Sequence, residues 1–156
     1  MPLKIANISE YQQFIPELAR LHQAEFGYLA PQFSEASRAE RLRNTCRDEE
    51  PPVFFIAVNE SGLIGSAGLV PEDMRTRKDL TPWLAGVYVK EEYRNQGAAT
   101  ALVARIESEA ANRNVETLYL FTPRAAALYR KLGWSMLESC QYMGTQVDVM
   151  FKRLAT

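Results

Sequence analysis

The fold is decided by the stretch VYVKEEYRNQGAA at residues 87–99, which passes from alternating apolar residues through a polar turn into small residues. The pattern predicts a strand, a turn and a helix that runs from Gly97 to about residue 113. The first N–H groups of a helix lack internal partners and the dipole there is positive, which suits a phosphate. Arg94 can add a charge-assisted hydrogen bond. The alternative is a plain strand-to-helix turn whose small residues only ease packing.

A second informative stretch, LYRKLGW, lies at residues 128–134. Leu128 and Leu132 share one face of a short helix, because they are four residues apart. Gly133 is suited to the C′ position that closes it. Tyr129 projects in a different direction and can offer its hydroxyl to a cleft. The alternative is that Tyr129 is an ordinary half-buried aromatic residue.

The remaining periodicities predict an alternation of strands and helices along the whole chain. Residues 53–58 are apolar without alternation, which is typical of a strand buried on both faces. Pro16 marks either an early kink or a late start of the first helix. The predicted strands are 3–6, 53–58, 63–70, 83–90, 117–121, 134–142 and 146–152. The predicted helices follow Ser9 up to Gly27, follow Ser34 to about residue 48, and span 97–113 and 124–132. This order favours one mixed sheet covered by helices.

Length and charge narrow the class of protein. The chain has 156 residues, with 18 Lys plus Arg against 19 Asp plus Glu, which predicts a single domain over residues 1–156. The charge balance argues against general nucleic-acid binding. The apolar runs are too short for a membrane span and the N-terminus lacks the apolar core of a signal peptide, so a cytoplasmic location is expected. Cys46 and Cys140 are then expected to be free thiols.

Together the two stretches resemble the signatures of the GNAT superfamily of acyl-CoA-dependent N-acyltransferases. Residues 94–99, RNQGAA, match the pattern Arg/Gln-x-x-Gly-x-Gly/Ala, and residues 128–134 match Leu-Tyr-x-x-x-Gly-Phe/Trp. The resemblance implies a single mixed α/β domain. Its central sheet would have six to seven mostly antiparallel strands and about four flanking helices. It also implies that strands 83–90 and 117–121 form a splayed parallel pair.

The resemblance further implies that acetyl-CoA, as co-substrate, binds where this pair splays, and no metal is expected. Backbone groups would hold the pantetheine arm, and the turn would hold the pyrophosphate. Thr122 stands where the family often has an Asn, and its hydroxyl replaces only part of an amide's bonding. The cofactor-binding residues implied are Val87, Val89, Arg94, Asn95, Gln96, Gly97, Ala98, Ala99, Thr100, Thr122 and Tyr129.

The implied activity is transfer of the acetyl group to a primary amine, by direct attack on the thioester through a tetrahedral intermediate. By resemblance, the backbone N–H of Val87 stabilises the oxyanion. Tyr129 stabilises the leaving thiolate, although a phenol is too weak an acid to lead that step. A small-molecule amine is the expected acceptor. A protein N-terminus or lysine is a variant of this function, and a non-catalytic acyl-CoA sensor or interaction module is the alternative class.

The sequence gives the weakest indications for the general base and for the acceptor pocket. Family members often carry an acid on the strand before the phosphate turn, and residues 83–89 contain none. The candidates are Glu25, Asp73 and Asp79, with His22 more distant and expected to be solvated. A base acting through ordered water is equally open. The residues expected to line the acceptor pocket, unless they belong to the core, are Phe26, Tyr28, Phe33, Trp83 and Tyr142. A homodimer is plausible on the same resemblance.

Overall fold

A seven-stranded mixed sheet forms the centre of the fold in the computed structural model, which describes residues 2–154. The strands lie in the order β1-β2-β3-β4-β5-β7-β6 and only β4 and β5 pair in parallel. The strands are β1 Lys4–Asn7, β2 Val53–Asn59, β3 Gly62–Val70, β4 Trp83–Val89, β5 Thr117–Thr122, β6 Ser135–Tyr142 and β7 Thr145–Arg153. The helices are α1 Ile15–Phe26, α2 Glu35–Thr45, α3 Ala98–Asn112 and α4 Ala126–Lys131. The predicted fold class is therefore confirmed.

The structure decides between the two roles considered for Pro16. Residues 8–14 form a 3₁₀ segment with a kink at Tyr11, and α1 begins only at Ile15. Pro16 thus stands in the first turn of α1, where its missing N–H costs no helical hydrogen bond. Ser34 caps α2 as predicted, and its hydroxyl accepts the N–H of Ser37 at 3.1 Å.

The sheet is buried on both faces, as the apolar run of β2 predicts. Alternate β2 side chains enter opposite clusters: Phe55 packs on the α3 side and Ile56 packs on the α1 and α2 side. The α3 side is filled by Leu102, Val103 and Ile106 from that helix. Burial of this apolar surface is the main force that holds the helices onto the sheet.

The parallel pair β4–β5 is joined at one register position, Trp83 opposite Tyr119. Past this point β4 also leaves the regular register with β3, which jumps from Gly68–Ala85 to Ser66–Tyr88. The bulge contains Gly86, whose φ of +61° is a left-handed conformation that favours glycine. A Cβ there would lie 3.1 Å from the Phe54 ring. The predicted splayed pair is present, and a bulge accompanies it.

We expect Gly68→Ala to lower the free energy of unfolding by about 1–3 kcal/mol, because a Cβ at this position would overlap the Phe54 ring inside the sheet. The matched control is Gly27→Ala. Gly27 has helical φ and ψ, and its added Cβ would meet only the flexible end of Gln23. Urea unfolding measures both, and an equal effect of the two substitutions would contradict this account of β2–β3 packing.

Candidate active site

A cleft of about 920 Å³ opens where β4 and β5 diverge. Its walls come from α1, α2, the segment after β3, the middle of β4, the end of β5 and α4. The predicted site residues that line it are Glu25, Phe26, Tyr28, Phe33, Asp73, Val87, Thr122 and Tyr129. Side chains far apart in the sequence therefore face one space.

The predicted phosphate turn is an open, left-handed turn at the start of α3. Gly97 has φ of +88°, and apart from its chain neighbours no atom of the described residues 2–154 lies within 4 Å of the position its Cβ would take. The carbonyl of Gly97 accepts the N–H of Ala101, which is the first hydrogen bond of α3. The N–H groups of residues 98–100 therefore have no partner within the helix. Asn95 is also left-handed, at φ of +63°. The turn is exposed at residues 94–97, and Thr100 is exposed next to it.

Other residues of this turn have narrower roles. Arg94 is held in place because its Nε donates to the carbonyl of Val89 at 2.9 Å and its guanidinium carbon lies 5.9 Å from the Tyr88 ring centroid. Ala98 is buried in the core and Ala99 is partly buried, so a ligand meets mainly their backbone. Gln96 is exposed, with its amide 3.4 Å from the carbonyl of Glu92.

Val87 lies in the gap that the bulge creates. It has no register partner on β3, and β5 pairs with β4 only at Trp83. Its side chain is partly buried and the residue lines the cleft. Val89, by contrast, is in register with Gly65, and its carbonyl already accepts Arg94. Of the two predicted backbone contacts, Val87 is the one placed at the cleft.

Tyr129 is buried but borders the cleft. Burial raises its pKa to about 12, so the phenol stays protonated and can donate a hydrogen bond at neutral pH. Its ring packs edge-on against Trp134, with centroids 6.1 Å apart. Trp134 Nε1 donates to Glu107 on α3 at 3.1 Å, and Lys152 Nζ donates to the same carboxylate at 2.8 Å. The short helix α4 is thereby tied to α3 and β7.

Thr122 combines a local structural role with a position at the cleft. Its Oγ1 accepts the backbone N–H groups of Arg124 at 3.3 Å and Ala125 at 3.0 Å, which shapes the turn into α4. Because a hydroxyl carries one hydrogen as well as its lone pairs, it retains a donor for a ligand.

The three acids considered as base candidates are placed very differently. Asp73 is partly exposed and lines the cleft, and burial raises its pKa to about 7, against the opposing charges of Arg41 and Arg38. Glu25 also lines the cleft. Asp79 is exposed and bound to Arg77 at 3.0 Å, a hydrogen bond that lowers the pKa of this carboxyl. Asp79 is not among the cleft residues, so its position does not suit a base.

His22 is buried, which corrects the expectation that it is solvated. Its Nε2 lies 2.8 Å from Ser66 Oγ, and Ser66 donates its single hydroxyl hydrogen to the carbonyl of Gly86 at 2.7 Å. Nε2 must therefore carry a hydrogen and donate to Ser66. Burial, with the nearby charges of Arg38 and Arg41, lowers the pKa of His22 to about 3. A neutral imidazole thus connects α1 and β3 to the bulge of β4.

The aromatic residues predicted for the acceptor pocket separate into two groups. Phe26, Tyr28 and Phe33 line the cleft. Trp83 is fully buried with its indole Nε1 donating to the carbonyl of Leu80 at 2.8 Å. Tyr142 is also core, and its hydroxyl accepts the N–H of Arg75 at 3.0 Å. The structure does not place Trp83 and Tyr142 in the cleft lining as expected. Both belong to the apolar core beneath α1 and α2.

The sequence patterns do not predict the positions of two arginines and a serine at the site. Arg38 and Arg41 line the cleft from α2, and Ser66 anchors His22 from β3. His22 stands four residues after Leu18 and four before Phe26, a spacing that places it on the buried face of α1. This spacing is a sequence signal for the burial of His22. Nothing local marks the two arginines within a polar helix.

The family comparison agrees with this geometry. The model of the Acetyltransferase (GNAT) family matches residues 15–134. The chain belongs to this family. The match includes the turn, the bulged strand and the helix that carries Tyr129. A comparison with curated proteins gave no match.

Solved structures of GNAT acetyltransferases share the fold over nearly the whole chain. An aminoglycoside 6'-N-acetyltransferase complexed with coenzyme A is 18% identical, with TM-score 0.73 and coverage of 100% of this chain and 98% of that one. A ribosomal-protein-alanine N-acetyltransferase from Brucella melitensis is 22% identical, with TM-score 0.75 and coverage of 99% and 100%. A phosphinothricin acetyltransferase from Sinorhizobium meliloti in complex with AcCoA is 19% identical, with TM-score 0.75 and coverage of 99% and 89%.

Three further features concern residues 2–154. None of their helices is both long enough and apolar enough to cross a membrane. They bring together no group of three or more His, Cys, Asp and Glu side chains suited to a metal ion. Cys46 and Cys140 are free and partly buried.

His22 and Asp73 should make stability depend on pH in opposite directions. Between its ordinary pKa of 6.5 and its folded pKa of about 3, His22 binds a proton only in the unfolded chain, so its contribution to stability rises with pH. Between its ordinary pKa of 3.8 and its folded pKa of about 7, Asp73 binds a proton only in the folded chain, so its contribution falls as pH rises.

Urea unfolding between about pH 4 and pH 7 tests this pair of slopes. The stability advantage of the wild-type protein over His22→Gln should grow as pH rises. Its advantage over Asp73→Asn should shrink as pH rises, because Asn mimics the protonated carboxyl. Parallel pH curves for the three proteins would contradict these assignments.

Proposed function

We propose that the protein transfers an acetyl group from acetyl-CoA to a primary amine on a small molecule. The observation that carries this proposal is the meeting of Val87, Tyr129 and Asp73 at one cleft beside the β4 bulge. These residues supply a backbone N–H, a neutral phenol and a carboxyl whose pKa is about 7. Acyl transfer to an amine can use each of these groups: a donor for the oxyanion, a donor for the leaving thiolate and an acceptor for the amine proton.

The phosphate turn is suited to the pyrophosphate of acetyl-CoA, which supplies the acetyl thioester when bound. The open space at Gly97 and the unpaired N–H groups at the start of α3 suit phosphate oxygens, and Arg94 adds a positive charge beside them. Val87 and Thr122 can then hydrogen-bond the arm that enters the β4–β5 gap. Two of the neighbouring structures hold CoA or AcCoA, which supports this use of the fold.

The proposed transfer is direct. Asp73, as its carboxylate, accepts a proton from the acceptor ammonium group. The neutral nitrogen then bonds to the acetyl carbonyl carbon as the C=O π bond opens, which gives a tetrahedral intermediate. The C–S bond breaks as the C=O bond forms again, and the second proton that the nitrogen loses passes to solvent or to the departing sulfur. The Val87 N–H donates to the carbonyl oxygen as negative charge builds there. The sulfur leaves as a thiolate that accepts a hydrogen bond from Tyr129. Full proton transfer is not needed, since a thiol with a pKa of ~8.5 is a stronger acid than this phenol.

The size of the cleft is consistent with a small acceptor. Its volume of about 920 Å³ falls within the range typical of small-molecule sites, ~300–1,000 Å³. The neighbouring structures do not choose an acceptor, because their names cover aminoglycosides, phosphinothricin and a ribosomal-protein alanine. Tight CoA binding without thiol release on any amine would instead favour a sensor.

Tyr129→Phe should lower kcat by about 100-fold while leaving the Kd for acetyl-CoA nearly unchanged, because the hydroxyl acts on charge that builds only during transfer. The matched control is Tyr119→Phe, since Tyr119 is a partly buried residue of β5 outside the cleft lining. Thiol release and calorimetric titration with acetyl-CoA measure the two quantities. Equal loss of turnover and affinity would overturn the thiolate-stabilising role.

Asp73→Asn should lower kcat/KM by about 100-fold at neutral pH, since the amide cannot accept the amine proton. The wild-type rate should rise with pH through the pKa of about 7 of this carboxyl, and the variant should lose that limb. Asp79→Asn is the control, because Asp79 is exposed and paired with Arg77. An unchanged pH profile in Asp73→Asn would transfer the role to Glu25 or to water.

A further inference from the structure

The part of the cleft beyond the reacting groups carries two arginines that the proposed transfer does not use. Arg38 is 8% exposed and borders the cleft. Its Nε donates to Gln23 Oε1 at 2.8 Å, which fixes the guanidinium between α1 and α2. Its Nη2 is buried and has no hydrogen-bond partner within residues 2–154. An unpaired buried donor is destabilising, and more so when it is charged, so this atom calls for an acceptor that the described part of the protein does not supply.

A second guanidinium stands beside the first. Arg41 lines the cleft from the same helix, and its guanidinium carbon lies 4.3 Å from the Phe33 ring centroid, against 5.3 Å for Arg38. Neither arginine has a carboxylate within ion-pair distance among residues 2–154. Desolvation by the surrounding protein lowers the pKa of both, even though Arg41 remains exposed, and for Arg38 the charge of Arg41 lowers it further. An anion between them would relieve this repulsion.

Asp73 adds a negative charge close to the two positive charges of Arg38 and Arg41. It is near enough to influence the pKa of both arginines and yet forms no ion pair with either. Acidic and basic residues are equal in number around the cleft, which therefore lacks the acidic excess that a polycationic acceptor would favour. A ligand with a basic end at Asp73 and an acidic end at Arg38 and Arg41 matches the arrangement.

We infer that the acceptor is a zwitterion: a primary amine that also carries a carboxylate, which Arg38 Nη2 and Arg41 bind while Phe33 holds both guanidinium groups in position. An amino acid is the simplest ligand of this class. The inference rests on the proposed acetyl transfer for the role of the amine, but the carboxylate site itself depends only on the two arginines. A planar guanidinium suits a carboxylate because its N–H groups match the two oxygens.

The test measures thiol release from acetyl-CoA with a panel of L-amino acids, each paired with its primary carboxamide. Spermidine and kanamycin serve as polycationic acceptors. We expect kcat/KM for at least one amino acid to exceed that for its carboxamide by at least tenfold, and this ratio to fall at least tenfold in Arg38→Gln and in Arg41→Gln. The matched control is Arg43→Gln, because Arg43 is exposed on the same helix, pairs with Glu40 and lies outside the cleft lining.

Arg41→Gln keeps the test valid if the buried Arg38→Gln fails to fold, since Arg41 is exposed. Turnover of carboxamides or polycations with no preference for the amino acids would overturn the inference and leave the acetyltransferase proposal standing. An unchanged ratio in the arginine variants would also overturn the inference.

Absence of thiol release with every acceptor would count against the proposed function. In that case, calorimetric titration of the same amino acids into the CoA-saturated protein tests separately whether the two arginines bind a carboxylate. Binding that Arg41→Gln weakens at least tenfold would support the site, and no binding would overturn it.

Discussion

The divergence of β4 from β5 after a single paired position is the constraint on which the site depends. Trp83 fixes the point of divergence, because it is fully buried and its indole is hydrogen-bonded to Leu80. Beyond it, the bulge at Gly86 takes β4 out of register with β3 as well. A strand that paired regularly on both sides would have no free backbone groups at Val87 and no gap to admit a ligand.

The second constraint is electrostatic. The cleft holds a neutral imidazole, a neutral phenol and a carboxyl whose pKa lies near 7, all displaced from their ordinary values by burial. His22 cannot act as a proton acceptor near neutral pH, but its hydrogen bond to Ser66 supports the carbonyl of Gly86 at the bulge. The residue that shapes the strand and the residue suited to accept a proton are therefore different.

The parts of the site that the sequence predicts are those built from consecutive residues. The turn at 94–99 offers backbone N–H groups, and every helix start has such groups free regardless of its side chains. Tyr129 is placed by its spacing within one short helix. The order of strands and helices along the chain followed from the periodicities, and the resemblance to the family implied the splayed pair.

The parts that could not be predicted depend on contacts between distant segments. Asp73 lies in a loop without periodicity, and its raised pKa comes from surroundings supplied by other elements. Arg38 owes its burial and its orientation to Gln23 on another helix. Trp83 and Tyr142 were expected in the pocket but lie in the core. A sequence does not distinguish an aromatic side chain of the core from one that lines a pocket.

Helix α4 has only six residues, well below the ~12–15 that an isolated helix needs to be even marginally stable in water. The helix is stabilised by contacts with other elements. The carboxylate of Glu107 accepts hydrogen bonds from Trp134 and Lys152, and Lys152 also donates to the carbonyl of Leu132 at 2.7 Å. Glu107 lies outside the cleft lining. A substitution there would disturb the helix that carries Tyr129, so a screen for inactive variants would select a residue that lies outside the cleft.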